Sequence, residues 1–154
     1  MSTDTDTFTY ARTYPLPSKR MWHLMTDPTM REKWGVPDDG MVMKVVTSDL
    51  RVGGVDHHRC GPADNPEFEV ETRWYRLDGP SDAVFTETIT AGGARLGASL
   101  VTYNIAGDGT GSTVKVTVAV SSFVGPDMIA EFNAGWTGGM ESLDRLVATQ
   151  AEKA

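Results

Sequence analysis

The segment Asp56-His57-His58-Arg59-Cys60 is the densest run of reactive side chains in the sequence. On an extended strand alternate residues share a face, so Asp56, His58 and Cys60 point one way and His57 and Arg59 the other. An imidazole near a carboxylate can hold or move a proton close to neutral pH. Three readings stay open. The strand is a polar wall that hydrogen-bonds a ligand, the place of an acid/base His oriented by Asp, or a solvated strand near a sheet edge. His58 and Cys60 are separated by about 6.6–7 Å of strand rise, too far for direct activation of the thiol. Alternate positions on one strand do not by themselves converge on a metal, so no metal site is expected.

Other residues carry weaker signals. Arg12 shares a face with Phe8, Tyr10 and Tyr14. An inward guanidinium needs an anion: an internal partner, for which Asp49 and Glu87 are the candidates, or an anionic ligand. Glu67, Glu69 and Glu71 line one strand face, which reads as a solvated face that resists aggregation rather than as an acid/base pair. Gly135, Gly138 and Gly139 fall inside a helical pattern, where each costs about 1 kcal/mol relative to alanine. They either leave space for a ligand or let the helix approach its neighbours closely. Gly53-Gly54 is followed by no Lys-Ser/Thr, so it is not a phosphate loop. The sequence shows no nucleophile elbow, Cys-x-x-Cys or His-Glu-x-x-His pattern. No catalytic residue is assigned and no cofactor is expected.

These residues need elements to position them. Residues 1–7 read as a flexible tail and 8–150 as a single domain. Phe8–Tyr14 alternates as a strand and is stopped by Pro15 and Pro17. Ser18 is a candidate N-cap for a short helix to Thr26, and Asp27-Pro28 starts a second one to Trp34. From Met41 to Phe123 the pattern is one of strands separated by glycine-rich turns, the strongest at Gly107-Asp108-Gly109. Val114, Val116, Val118 and Val120 mark the clearest strand. Gly125-Pro126 opens a last helix to about Thr149, with Ile129, Phe132, Trp136, Met140, Leu143 and Val147 on one face. An antiparallel sheet must bury its apolar face, and this helix is the one long amphipathic element available. The expected fold is α+β: a curved antiparallel sheet of about six to seven strands around a long C-terminal helix.

A chain of 154 residues with 40% hydrophobic and 23% charged residues fits one globular domain. Its net charge of −7 argues against a nucleic-acid partner. No apolar run approaches the ~18 residues of a membrane span, so no membrane insertion is expected. The polar start lacks the basic and apolar regions of a signal peptide. A single cysteine, Cys60, rules out an internal disulfide. A reducing, cytoplasmic setting is expected, as a monomer or homodimer.

The ordered set of Arg12, Asp27-Pro28 with Trp34, Asp49-Leu50-Arg51-Val52-Gly53-Gly54, Thr113-Val114-Lys115-Val116, and Gly135-Trp136 with Leu143 and Leu146 resembles the helix-grip superfamily of START and birch-allergen-like (SRPBCC) domains. Within it, the chain is similar to the family named after the homologue of the heat-shock-protein-90 ATPase activator. The resemblance spans nearly the whole chain. It implies a cavity between sheet and last helix that takes a small apolar or amphipathic molecule. Its walls would come from Trp34, Met43, His58, Trp74, Phe85, Tyr103, Val118, Phe132 and Trp136. If the family register holds, Asp56, His58 and Cys60 face inward, where the family usually places bulky apolar residues. Met21, Met25, Met41, Met43, Met128 and Met140 suit an adaptable interior. Two other functions fit the same resemblance: a cyclase, dehydratase or hydrolase using His58 or a cavity carboxylate, and a co-chaperone-like domain regulating a chaperone ATPase.

Overall fold

The computed structural model describes residues 2–37 and 40–152. In chain order it contains β1 (Asp4–Tyr14), α1 (Ser18–Thr26), α2 (Pro28–Trp34), β2 (Met41–Thr47), β3 (Val55–Pro62), β4 (Phe68–Asp78), β5 (Asp82–Ala91), β6 (Ala94–Gly107), β7 (Ser112–Ser122) and α3 (Pro126–Glu152). The seven strands form one antiparallel sheet in the order β1-β7-β6-β5-β4-β3-β2. This is the expected α+β helix-grip arrangement.

Strand alternation sets what each face buries. On β7, Val114, Val116, Val118 and Val120 point into the core and pair across the sheet with Arg12, Tyr10, Phe8 and Asp6 of β1. Register shifts at Val45/Thr47, Trp74/Arg76 and Ile89/Thr90 bend the sheet, as an extra residue on one strand of a pair does. Helix α3 lies across the face so formed, and α1 and α2 pack beside it.

The first strand begins earlier than the hydrophobic pattern suggests. Asp4 to Thr7, expected in a tail, pair with Ser122 to Ala119. Backbone pairing does not need apolar side chains, so polarity hid these residues; Met1 lies outside those described. Ser18 is the first residue of α1 rather than its cap, and Pro17 holds the cap position without a side-chain hydrogen bond. Asp27 does cap α2, its carboxylate accepting from the Met30 N–H at 3.2 Å, with Pro28 at the first helical position.

Helix α3 has two unlike halves. From Gly139 onward it buries Met140, Leu143 and Val147, each burial stabilising by roughly 1.5–3 kcal/mol. Before Gly139 every buried position disappears, although Ile129, Phe132 and Trp136 continue the same apolar face. The C-terminal half is thus a core helix and the N-terminal half a roof. Among the described residues, no helix is long and apolar enough to cross a membrane.

Candidate functional site

A cavity of about 190 Å³ lies under the roof half of α3. Its walls come from the Gly35–Pro37 loop, from β2 to β6, and from α3. The inner side chains Arg31, Met43, His58, Val70, Glu87 and Ser99 are buried, whereas Met41, Phe68, Met128 and Glu131 stand at a partly exposed rim.

Glycines decide where the space is. A Cβ at Gly135 would meet nothing within 4 Å, and Gly135 lines the cavity. A Cβ at Gly138 would collide with the Pro37 ring, and one at Gly139 would come within 3.2 Å of the Trp34 carbonyl oxygen. Gly138 and Gly139 therefore serve close helix approach, and Gly135 alone opens space. Ser142 fastens the same junction, its hydroxyl donating to the Val36 carbonyl at 3.0 Å. Gly97 and Gly35 likewise leave room for Phe132 and Met43. Trp136 is held from one side by Tyr10, with ring centroids 6.4 Å apart, while the Tyr10 hydroxyl donates to the Asn133 side chain at 2.6 Å.

The inner end of the cavity is polar. Asp56 and His58 are buried and face inward, so the solvated-edge reading of this strand does not hold. Asp56 accepts from the Ser48 hydroxyl at 2.9 Å and the Asp49 N–H at 2.7 Å. Arg31, three residues before Trp34 and so on the same face of α2, brings a buried guanidinium to 4.0 Å from Asp56 and 3.7 Å from Glu87. It also sits 5.3 Å from the Phe85 ring centroid and 5.6 Å from that of Trp74. Burial, reinforced by Arg31 and then His57, pushes His58 down to about 3, so its imidazole is neutral near pH 7. Its Nδ1 is buried with no hydrogen-bond partner among the described residues, as is the Arg31 Nε. Burial raises the Glu87 carboxyl against the pull of Arg31. Burial, then the charge of Glu87, pushes the Cys60 thiol up to about 12.

Of the nine expected wall residues, Met43, His58, Phe132 and Trp136 line the cavity. Trp34, Trp74, Phe85, Tyr103 and Val118 pack in the core instead, each 2% exposed or less. Trp34 is fixed there by its indole N–H donating to the Leu24 carbonyl at 2.8 Å. Inward direction alone could not separate these two groups, because the core and the cavity lie on the same face of the sheet. Arg12 pairs with neither Asp49 nor Glu87. Its Nε donates to Asp144 of α3 at 3.1 Å, and Tyr14 donates to the same carboxylate at 2.7 Å. The reason is topological: β1 lies beside β7 at one edge of the sheet, under α3. Glu67 and Glu69 are solvent-exposed and Glu71 is half-exposed. Arg31 is not among the expected wall residues; its sequence signal is the three-residue spacing to Trp34 behind the Asp27 cap.

Residues 15–148 match the sequence model of a family described as activator of Hsp90 ATPase homolog 1-like protein. The chain belongs to this family. A search of curated proteins found no match. Among solved structures, the activator-homologue fold recurs in the Mll3558 protein from Rhizobium loti, which is 28% identical with a TM-score of 0.79, over 93% of this chain and 97% of that one. The CV1439 protein from Chromobacterium violaceum is 22% identical with a TM-score of 0.79, over 92% and 96% of the two chains. A Silicibacter pomeroyi protein whose structure is titled with the activator-homologue family name is 15% identical with a TM-score of 0.75, over 94% and 99%. The helix-grip superfamily read from the sequence is therefore the right one.

Proposed function

We propose that this protein binds a small amphipathic molecule in the cavity under the N-terminal half of α3. The observation that carries this reading is the pairing of open space at Gly135 with the buried polar side chains of His58, Glu87 and Ser99 on the inner wall of the same cavity. A few placed polar groups in a largely apolar pocket are what orient a small ligand. The volume of about 190 Å³ is below the ~300–1,000 Å³ of sites for drug-sized molecules. It is nearer the ~150 Å³ that accepts a benzene ring, so the ligand is a single ring or a short chain. Met41, Met43, Met128, Phe68, Phe132 and Trp136 would contact its apolar part. The setting that fits the single cysteine is a reducing cytoplasm.

Titrating single-ring compounds while following the Gly135 amide and Trp136 indole resonances tests the reading. Binding is expected in the wild type and is expected to be lost in Gly135→Leu, which fills the cavity. No response to any compound, or binding unchanged in Gly135→Leu, would overturn it.

The family match supports a second reading, stimulation of a chaperone ATPase through protein contact. An ATPase assay of the chaperone with and without this protein tests it, and an unchanged rate removes it. An enzymatic role for His58 has less support. His58 is buried beside the cavity as that role requires, but among the described residues no carboxylate is hydrogen-bonded to it to orient the ring.

A further inference from the structure

The buried charges around the cavity do not balance. Among the described residues Arg31 is the single Lys or Arg lining it, and two carboxylates, Asp56 and Glu87, lie within 4.0 Å of that guanidinium. With both ionised the cluster carries one net negative charge away from bulk water. The two acids are not equivalent. Asp56 accepts two hydrogen bonds, from Ser48 and Asp49. Glu87 accepts none among the described residues, and its Arg31 contact at 3.7 Å is longer than a hydrogen bond. Glu87 lines the cavity; Asp56 does not. The uncompensated carboxylate is thus the one a ligand would meet.

We propose that the cavity takes a small primary amine bearing a single ring or short alkyl group, with its ammonium against the Glu87 carboxylate. This rests on the reading of the cavity as a binding site and names the ligand class. With Glu87 ionised, a monocation brings the buried charge of Arg31, Asp56 and Glu87 to zero, which a neutral ligand does not and an anion makes worse; burial raises the Glu87 carboxyl, so the ammonium competes with a proton for this place. Three of the lining side chains, Phe68, Phe132 and Trp136, are aromatic, a class whose ring faces attract cations, and the apolar remainder is thioether and aliphatic. His58, being neutral, adds no competing positive charge to the cavity wall. Glu131 stands exposed at the rim, and the chain as a whole carries −7, so the field at the mouth draws cations in.

A matched series distinguishes the charge types: benzylamine, benzyl alcohol, acetophenone and benzoate, titrated by calorimetry at pH 7 against the full chain. Benzylamine is expected to bind at least about tenfold more tightly than benzyl alcohol, the size of a charged hydrogen bond over a neutral one. Glu87→Gln is expected to bring the two level. If Glu87→Gln does not fold, the wild-type order decides alone. Tighter binding of the alcohol, the ketone or benzoate overturns the amine assignment and leaves the cavity reading standing. The ketone result would mean that Glu87 carries a proton and donates it. Failure of all four to bind overturns the cavity reading itself and the amine with it.

Discussion

The guanidinium of Arg31, on α2, lies 3.7 Å from the carboxylate of Glu87, on β5, inside the domain. Asp56 on β3 is the second anion, at 4.0 Å. This cluster ties the short helical layer to the sheet at the inner end of the cavity. Removing the cation strands two carboxylates in a buried setting. Arg31→Met is therefore expected to destabilise the fold by about 3 kcal/mol at pH 7, measured by urea unfolding. The double variant Arg31→Met/Glu87→Gln should recover part of that loss. A change below about 1 kcal/mol in the single variant would show that the cluster is not held by charge.

The helix glycines Gly135 and Gly138 should respond differently to one substitution. Gly135→Ala adds a methyl group where nothing lies within 4 Å, so helix propensity should raise stability by up to about 1 kcal/mol. Gly138→Ala drives a methyl group into Pro37 and should lower stability by about 1–3 kcal/mol. Urea denaturation of the pair checks the contrast. Equal effects at both sites would contradict the assignment of separate roles.

His58 makes stability fall with acid. Its folded value, about 3, is below the ordinary 6.5, so the unfolded chain binds this proton more readily than the folded one. The stabilisation it contributes is complete above pH 6.5 and is lost as pH falls toward 3. Replacing it with Gln removes that dependence. The stability gap between wild type and His58→Gln should narrow by on the order of 2–3 kcal/mol between pH 7 and pH 4. A gap that stays constant over this range would mean that the imidazole titrates normally and is not buried neutral.

Cys60 should be slow to react. A thiol pushed to about 12 exposes roughly a thousandfold less thiolate at pH 8 than one at its ordinary value. Its reaction with a disulfide reagent should lag a free thiol by a comparable factor and reach the normal rate in denaturant. Glu87→Gln removes one cause of the shift and should speed the reaction. Wild-type reaction at the free-thiol rate would place Cys60 outside the cavity wall.

Much of this molecule was legible from residue order. The alternation of Val114 to Val120, the cap at Asp27-Pro28 and the apolar stripe from Ile129 to Val147 are local signals, governed by periods of two and 3.6 residues and by cap chemistry. Together such signals specified about six to seven strands, two short helices and a covering helix. Polarity misled at Asp4–Thr7, because a ladder is made by backbone groups that every residue carries. The site needed more than local signals. Which inward residues pack and which line space depends on how close α3 comes to the sheet, and that distance is set along its length by Gly135, Gly138 and Gly139 meeting different neighbours. The partners of Arg12 and Arg31 likewise follow from strand order, which puts β1 at one edge and brings β3 and β5 within reach of the Arg31 side chain from α2. Charge pairing acts through space, so only the assembled fold could decide that Asp144 belongs to Arg12 and that Glu87 faces the cavity beside Arg31.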